Sequence, residues 1–119
     1  MNKIELMGRL TADVEIRKST NKNSKTYARF SLAVPRKLDK EKVDFINCVA
    51  FGKLAEIINK YCKKGIQIIV CGTLQIDDYV TKDGKNAKAT TVIVDDFYFT
   101  EFNKKVAESS EEIPFNGGE

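Results

Sequence analysis

Three aromatic residues in the middle of this sequence have neighbours that suit a ligand with both flat rings and negative charge. Phe45 and Phe51 are six positions apart in one apolar run, so a strand presents both on the same side, and Tyr79 follows a second such run. Aromatic rings stack on nucleobases and basic side chains neutralise phosphates, and a sequence-tolerant binder of single-stranded nucleic acid needs both. Each ring taken alone could instead belong to a hydrophobic core. The nearby cations are Arg29, Arg36, Lys53, Lys82, Lys85 and Lys88.

Catalytic chemistry finds little support in the sequence. The chain contains no His, so the common pairing of a nucleophile with a histidine base is absent. Asp77-Asp78 and Asp95-Asp96 could suggest a magnesium site. Adjacent residues of a strand point to opposite faces, however, so each pair supplies one ligand rather than two. There is no Gly-rich phosphate loop, and we therefore expect a non-catalytic protein without cofactor or metal.

The charges are distributed unevenly along the chain. Residues 1–105 hold all 20 Lys and Arg and 13 of the 17 Asp and Glu, which gives a net charge of +7. Residues 106–119 hold the other four acidic residues, all Glu, which gives −4. A basic body with an acidic end is typical of a polyanion-binding domain followed by an interaction tail. A plain solvated acidic terminus is the alternative.

The three cysteines, Cys48, Cys62 and Cys71, lie within apolar runs. Their odd number and the absence of a CxxC motif argue against a zinc site, so we expect small, buried, reduced thiols, which fit the cytoplasm. Charged residues from Lys3 onward interrupt the start of the chain, which argues against a signal peptide. No segment is long and apolar enough for a membrane span.

The alternation of apolar and polar residues predicts five strands. On the third strand, the side that carries Phe45 and Phe51 is opposite the side that carries Ile46, Cys48 and Ala50, so one of two apolar sides must face outward. In the fourth strand Gly72 predicts a bulge, and Asp83-Gly84 predicts the hairpin turn that follows. The predicted strands are residues 2–10 with an extended continuation to 18, 26–34, 43–51, 66–76 and 89–102.

A helix is predicted between the third and fourth strands, over residues 53–64. Its apolar residues share one helix face, and Gly65 follows as the residue that ends it. The order strand, strand, strand, helix, strand, strand is that of the OB-fold, an all-β five-stranded barrel. We expect it here as an all-antiparallel domain over residues 1–102. Residues 103–119 have little apolar content and predict a flexible acidic tail. The spaced helix residues are Leu54, Ile57, Ile58, Tyr61 and Cys62.

Four stretches resemble the bacterial single-stranded DNA-binding protein family, including its phage-borne members. The most specific is Asp44–Glu56, in which an apolar strand passes directly into the helix. The resemblance covers about residues 1–102. It implies an OB-fold, a homotetramer, no cofactor, and cooperative, largely sequence-independent binding of single-stranded DNA in replication, recombination and repair. The stretches are Asn2–Thr11, Phe30–Val34, Asp44–Glu56, and Lys63–Gly65 leading to Gly72–Leu74.

The resemblance also implies roles for single residues. Phe45 and Phe51 match stacking positions of the family, and Tyr79 matches the stacking aromatic of the hairpin, which is often Trp elsewhere. Arg36 and Lys53 match basic positions near the DNA path. The chain has no Trp, so we expect weaker stacking and a larger share of the affinity from charge.

The acidic end of the chain resembles a second family feature. In the family, an acidic run and a terminal Ile-Pro-Phe dock on basic pockets of replication and repair proteins. Here Glu111, Glu112, Ile113, Pro114 and Phe115 match that run and predict a partner-binding tail. Four further residues follow, so a peptide bond stands where the family has the carboxylate of its last Phe.

Two other functions fit an OB-fold with these residues. One is an RNA-binding module, since RNA offers the same phosphates and ring faces. The other is a protein-interaction adaptor in a replication complex, which binds oligonucleotides poorly. Both stay open as alternatives to single-stranded DNA binding. For a DNA-binding protein of this kind we expect a cytoplasmic, nucleoid-associated location.

Overall fold

Six strands and one helix make up the described part of this protein. The computed structural model describes residues 1–18 and 26–100. Within these ranges no helix is long and apolar enough to cross a membrane. The elements are β1 (Ile4–Leu10), β2 (Glu15–Lys18), β3 (Thr26–Pro35), β4 (Val43–Phe51), α1 (Gly52–Tyr61), β5 (Gln67–Val80) and β6 (Asn86–Phe99).

The strands form a sheet that closes on itself. Its order is β1-β5-β6-β4-β3-β2, and β1 pairs additionally with β3 through Arg9 beside Ala33 and Leu10 beside Leu32. Five strands thus make a ring, and β2 adds to it beside β3. Along the chain the five ring strands are β1, β3, β4, β5 and β6, and α1 lies between the third and the fourth of them. This is the architecture that the order of the elements predicts.

One pair in the ring, β4 and β6, is parallel, with Asn47 beside Thr91 and Val49 beside Ile93. The expectation of an all-antiparallel sheet is therefore wrong. The physical reason is the strand number: directions alternate completely around a ring only when the number of strands is even. A ring of five must contain one parallel pair, and here it joins two strands that α1 and β5 separate along the chain.

The first predicted strand is divided in two. β1 ends at Leu10 and pairs mainly with β5, whereas β2 begins at Glu15 and pairs with β3. Between them the backbone N–H of Thr11 donates to the carbonyl of Ser31 at 3.0 Å. The β5–β6 hairpin is longer than predicted, because pairing continues to Val80 beside Asn86.

The core fills the ring and includes one side of α1. Ala55, Ile58 and Cys62 are buried against the strands. The helix ends three residues earlier than predicted, and the N–H of Cys62 donates to the carbonyl of Ile58 at 2.8 Å. The ring contributes Leu10, Ala28, Phe30, Leu32, Cys48, Ala50, Ile68, Val70, Val92 and Val94.

The thiols fall into two classes. Cys48 and Cys62 are buried and free, as predicted, and burial raises the pKa of each to about 12. Cys71 is half-buried and faces outward from β5, with Sγ 3.9 Å from Oε2 of Glu5. The prediction of a buried thiol is wrong for Cys71, because its side of β5 does not face the core.

Candidate nucleic-acid interface

The two sides of β4 differ sharply in exposure. Cys48 and Ala50 are buried, whereas Phe45 exposes 69% of its surface and Phe51 exposes 46%. Successive residues of a strand face opposite ways, so one side of β4 completes the core and the other faces solvent. Two large apolar rings therefore lie on a solvent-facing sheet surface, where core packing does not explain them.

The strand register extends this solvent-facing side across four strands. Residues directly opposite each other in neighbouring strands have side chains on the same side of the sheet. We call this side the outer face. It comprises Tyr27, Arg29, Ser31 and Ala33 in β3, Phe45, Asn47, Val49 and Phe51 in β4, Ala87, Ala89, Thr91 and Ile93 in β6, and Thr73, Gln75, Asp77 and Tyr79 in β5.

Phe51 has an aromatic neighbour on the outer face that sequence reasoning does not single out. Tyr27 lies opposite it in the register, with ring centroids 6.4 Å apart and planes inclined by 47°. The sequence does contain a signal for this residue. Tyr27 is two positions from Arg29, so both side chains lie on the same side of β3. The tilted pair holds the Phe51 ring in place while leaving part of it open to solvent.

Beyond the core, β5 and β6 continue as a two-stranded arm. Every residue of β5 from Gln75 to Val80 is exposed. Tyr79 lies opposite Ala87 on the outer face and exposes 49% of its surface. In the turn, the N–H of Thr81 donates to the carbonyl of Lys85 at 2.8 Å, and Gly84 adopts a φ of 83°. The arm thus adds a third ring to the outer face and carries Lys82 and Lys85 at its tip.

Two of the predicted cations are held by carboxylates and do not lie on the outer face. Lys88 faces Asp78 across the arm, on the side away from Tyr79, with Nζ 2.7 Å from Oδ1. The guanidinium of Arg36 is bound to Asp44, a residue on the side of β4 opposite Phe45. This hydrogen-bonded pair raises the pKa of Arg36 and lowers the pKa of Asp44.

Four other predicted cations, Arg29, Lys53, Lys82 and Lys85, form no ion pair with any residue in the described ranges. Arg29 lies centrally on the outer face. Lys53 is in the first turn of α1, immediately after Gly52, whose φ of 67° turns the chain from β4 into the helix. A cation there is disfavoured by the helix dipole, so Lys53 lies beside the exposed ring of Phe51 without stabilising the helix.

A groove of about 340 Å³ crosses the outer face between β3, β4 and β6. One wall comes from Asp13, in the segment that joins β1 to β2, and from Glu15 at the start of β2. The groove is open to solvent and mostly lined by small or polar side chains, which suits the edge of a nucleobase more than a large apolar ligand. The lining residues are Thr11, Ala12, Asp13, Glu15, Arg29, Phe30, Ser31, Asn47, Cys48, Val49, Ala89 and Thr91.

Two other aromatic residues, Phe97 and Phe99, belong to the core and not to the outer face. Phe97 and Phe99 pack against the core, with their ring centroids 5.3 Å apart. Phe102 lies outside the described residues. The predicted partner-binding run Glu111–Phe115 also lies outside them.

Comparison with known proteins agrees with this geometry. The model of the single-strand binding protein family matches residues 1–100. A single-stranded DNA-binding protein of Clostridium perfringens is 43% identical over 99 residues, which cover 83% of this chain and 65% of the relative. One from Fusobacterium nucleatum is 42% identical over 107 residues, covering 85% and 68%. The chain thus spans about two thirds of the length of these relatives.

A solved structure gives the same result for the fold. The Plasmodium falciparum SSB in its complex with ssDNA superimposes with a TM-score of 0.71 at 26% sequence identity. The match covers 85% of this chain and 96% of that one. Together with the family match, it confirms the fold class that the order of the elements predicts.

Proposed function

Because the chain belongs to the single-strand binding protein family, we propose that its outer face binds and protects single-stranded DNA during replication, recombination and repair. Binding is largely independent of sequence. Bases stack on Phe45, Phe51 and Tyr79, and phosphates contact Arg29, Lys53, Lys82 and Lys85. Arg36 and Lys88 contribute from the periphery, where each shares its charge with a carboxylate.

The observation that carries this proposal is that three exposed aromatic rings lie on the same face of the sheet. Phe45, Phe51 and Tyr79 belong to two strands that do not pair with each other, yet the register through β6 gives them one face. Each ring exposes nearly half of its surface or more. A row of exposed rings offers stacking to any base, because every base has a π-face.

The proposed function is binding, and it needs no bond to form or break. Among the described residues, no three His, Cys, Asp or Glu side chains are grouped so that they could hold a metal ion. The relatives named above are DNA-binding proteins by name. We assign the chain no catalytic role.

A titration with oligo-dT, followed by the fluorescence of the four tyrosines, tests the proposal at two salt concentrations. We expect saturable binding whose logarithmic affinity falls with the logarithm of salt by about 0.7 for each phosphate neutralised. Competition with RNA of matching sequence separates DNA from RNA binding. Failure to bind either polymer contradicts the proposal and favours the adaptor alternative.

Two expectations from the family resemblance extend the proposal. The first is assembly as a homotetramer in the cytoplasm; four 13.4 kDa chains give a mass of about 54 kDa, which sedimentation equilibrium at micromolar concentration measures. The second is partner recruitment through Glu111–Phe115. Phe115→Ala in the full chain should weaken binding to a basic replication or repair protein while leaving the affinity for oligo-dT unchanged.

A further inference from the structure

The β5–β6 arm leaves one edge of β5 without a partner strand. β1 covers that edge as far as Gly72, which lies beside Ile4, and no strand of the described ranges pairs with it beyond this point. Asn2 extends the cover by one step through its side chain. Its Nδ2 donates to the carbonyl of Leu74 at 2.8 Å, and its Oδ1 accepts from the N–H of Leu74 at 3.0 Å. The covered edge of β5 therefore ends at Leu74, where the arm begins.

The backbone groups that stay uncovered can be identified from the alternation of the strand. The N–H and carbonyl of one residue point to the same edge of a strand, and those of the next residue point to the opposite edge. Leu74 directs both groups away from β6, so Ile76, Asp78 and Val80 do the same. Thr81, of the other parity, donates its N–H toward Lys85 in the turn to β6.

We call the backbone groups of Ile76, Asp78 and Val80 the free edge of the arm. Within the described ranges no residue forms a hydrogen bond with these groups. A row of unpaired N–H and carbonyl groups is a template for another strand, and proteins usually block it with proline, a bulge or a charge. Here there is no proline, pairing with β6 is regular from Gly72 to Val80, and the carboxylate of Asp78 is bound by Lys88 at 2.7 Å. The free edge is therefore open to strand addition.

The charges along the arm suit a second arm that runs in the opposite direction. The base of the arm has a net negative charge, and its tip has a net positive charge. Two arms that lie side by side in opposite directions place each tip beside the base of the other, and opposite charges on neighbouring strands stabilise a sheet. The arm thus complements a second copy of itself. The base holds Asp77, Asp78 and Lys88, and the tip holds Lys82, Asp83 and Lys85.

The side chains also select the register of such a pair. When two β5 strands pair symmetrically, one residue lies directly opposite its own counterpart. With Asp77 or Asp78 at the centre, two carboxylates meet, which destabilises a sheet. With Tyr79 at the centre, two aromatic rings meet instead, and Asp78 of each copy lies opposite Val80 of the other. Centres farther along the arm in either direction leave only a single hydrogen-bonded pair of residues.

We propose that the free edges of two arms pair in antiparallel register about Tyr79 and so join two copies that are neighbours on one DNA strand. Asp78 of each copy exchanges backbone hydrogen bonds with Val80 of the other. Because the pairing lies in the plane of the sheet, it leaves the outer face open and continues it from copy to copy through Tyr79. Each bound copy thereby favours the binding of a neighbour. The inference rests on the proposed function, since the shared DNA strand brings the arms together.

Val80→Pro tests the inference, because proline removes an N–H of the free edge without removing a bond to β6. Affinity per site is measured at fixed salt for a short oligo-dT that holds one protein assembly and for a long one that holds several. We expect the wild type to bind the long strand about ten-fold more tightly per site, the effect of a few hydrogen bonds. Val80→Pro should bring this ratio close to one and leave binding to the short strand unchanged.

Asn86→Pro is the matched control, since Asn86 lies opposite Val80 and belongs to the other edge of the arm. It should preserve the ratio of affinities, and sedimentation of the DNA-free protein should give the same mass for the wild type and both variants. A ratio near one in the wild type, a ratio that survives Val80→Pro, or an equal loss in Asn86→Pro overturns the inference. If the wild type does not bind the short strand, the proposed function itself fails.

Cross-linking tests the register without relying on a proline variant. Tyr79→Cys places the thiols of two copies directly opposite each other, at a Cα separation that permits a disulfide. Mild oxidation with oxidised glutathione should link the copies on long oligo-dT. Thr81→Cys should form no such link, because Thr81 lies opposite Asp77 of the other copy. Equal linkage in both variants, or none in Tyr79→Cys on DNA that it saturates, contradicts the pairing about Tyr79.

Discussion

Arg36 and Asp44 form a two-point ion pair at one end of the β3–β4 ladder. Nη2 of Arg36 is 3.0 Å from Oδ1 of Asp44, and Nε is 3.1 Å from Oδ2. Val34 lies directly opposite Asp44, so Arg36, two residues beyond Val34, reaches the carboxylate from the same side. Both side chains remain about half exposed, at 53% and 46%. An anion that approaches Arg36 must therefore share it with Asp44.

Asp44→Asn is expected to strengthen binding of single-stranded DNA severalfold. The substitution leaves Arg36 with a neutral neighbour and lets the guanidinium contact a phosphate, so the salt dependence should steepen by up to about 0.7 in logarithmic slope. The pKa of Asp44 is lowered from 3.8 by its pairing with Arg36. The ion pair therefore stabilises the fold fully above pH 3.8, and this stabilisation is lost only as the pH falls through the lowered pKa. At neutral pH the wild type has the pair fully formed, and the Asp44→Asn variant lacks it.

Asp39→Asn is the matched control for this effect. Asp39 lies in the segment that joins β3 to β4, where it accepts from the backbone N–H of Glu41 at 3.3 Å and does not contact Arg36. It should change the affinity less than Asp44→Asn and leave the slope almost unaltered. Equal effects of the two variants would mean that total charge, and not the release of Arg36, controls binding.

Substitutions on the two sides of the β5–β6 arm should separate stacking from general exposure. Tyr79→Ala removes a ring from the outer face and should cost about 1–3 kcal/mol of binding free energy. Ile76→Ala removes a comparably exposed apolar side chain, 55% exposed, from the opposite side of the same strand. It should leave the affinity for oligo-dT unchanged. A similar loss of affinity for oligo-dT in both variants would contradict the proposal that DNA binds to the outer face.

Phe45→Ala should weaken binding with little loss of stability, because the ring is largely exposed. Phe51→Ala should weaken binding and also lower the melting temperature slightly, since it removes the ring that packs against Tyr27. Circular dichroism with heating measures stability, and oligo-dT titration measures binding. An unchanged affinity in either variant contradicts the stacking role of that residue.

The sequence predicts which side of β4 is exposed, because the alternation of residues within that one strand is sufficient to show it. The alternation of Cys48 and Ala50 with Phe45 and Phe51 is local, and the core uses one of the two sides. The pairing of Arg36 with Asp44 and of Lys88 with Asp78 depends on register between strands, which periodicity does not define. The parallel β4–β6 pair is likewise a property of ring closure, so it appears only in the folded chain.

Gly72 is expected to tolerate no side chain. It lies at the irregularity between Cys71 and Gly72 where the β5–β6 register shifts, and a Cβ there would overlap the carbonyl oxygen of Ile93. Because that oxygen belongs to a paired backbone, Gly72→Ala should lower the free energy of unfolding by about 3 kcal/mol or more. Denaturant unfolding provides the measurement.

Gly84 provides the contrast for this prediction. It adopts a φ of 83° in the hairpin turn, but a Cβ there would have no heavy atom within 4 Å. Gly84→Ala should therefore cost only about 1–2 kcal/mol, the penalty of the left-handed conformation. A Gly72→Ala variant as stable as Gly84→Ala would show that β5 and β6 can shift to accommodate the methyl group.

The three thiols should react with iodoacetamide in a defined order. Burial raises the pKa of Cys48 and Cys62 to about 12, and both are inaccessible, so neither should be labelled in the folded protein at pH 8. Cys71 is half-buried and should react first, because the thiolate is the nucleophile and the reagent can reach it. Its pKa is also raised, by partial burial and then by the carboxylates of Glu5 and Asp96. Glu5→Gln should therefore accelerate its labelling, whereas Glu56→Gln on α1 should not. Mass spectrometry of digested samples gives the order, and labelling of Cys48 before Cys71 would contradict the arrangement of the core.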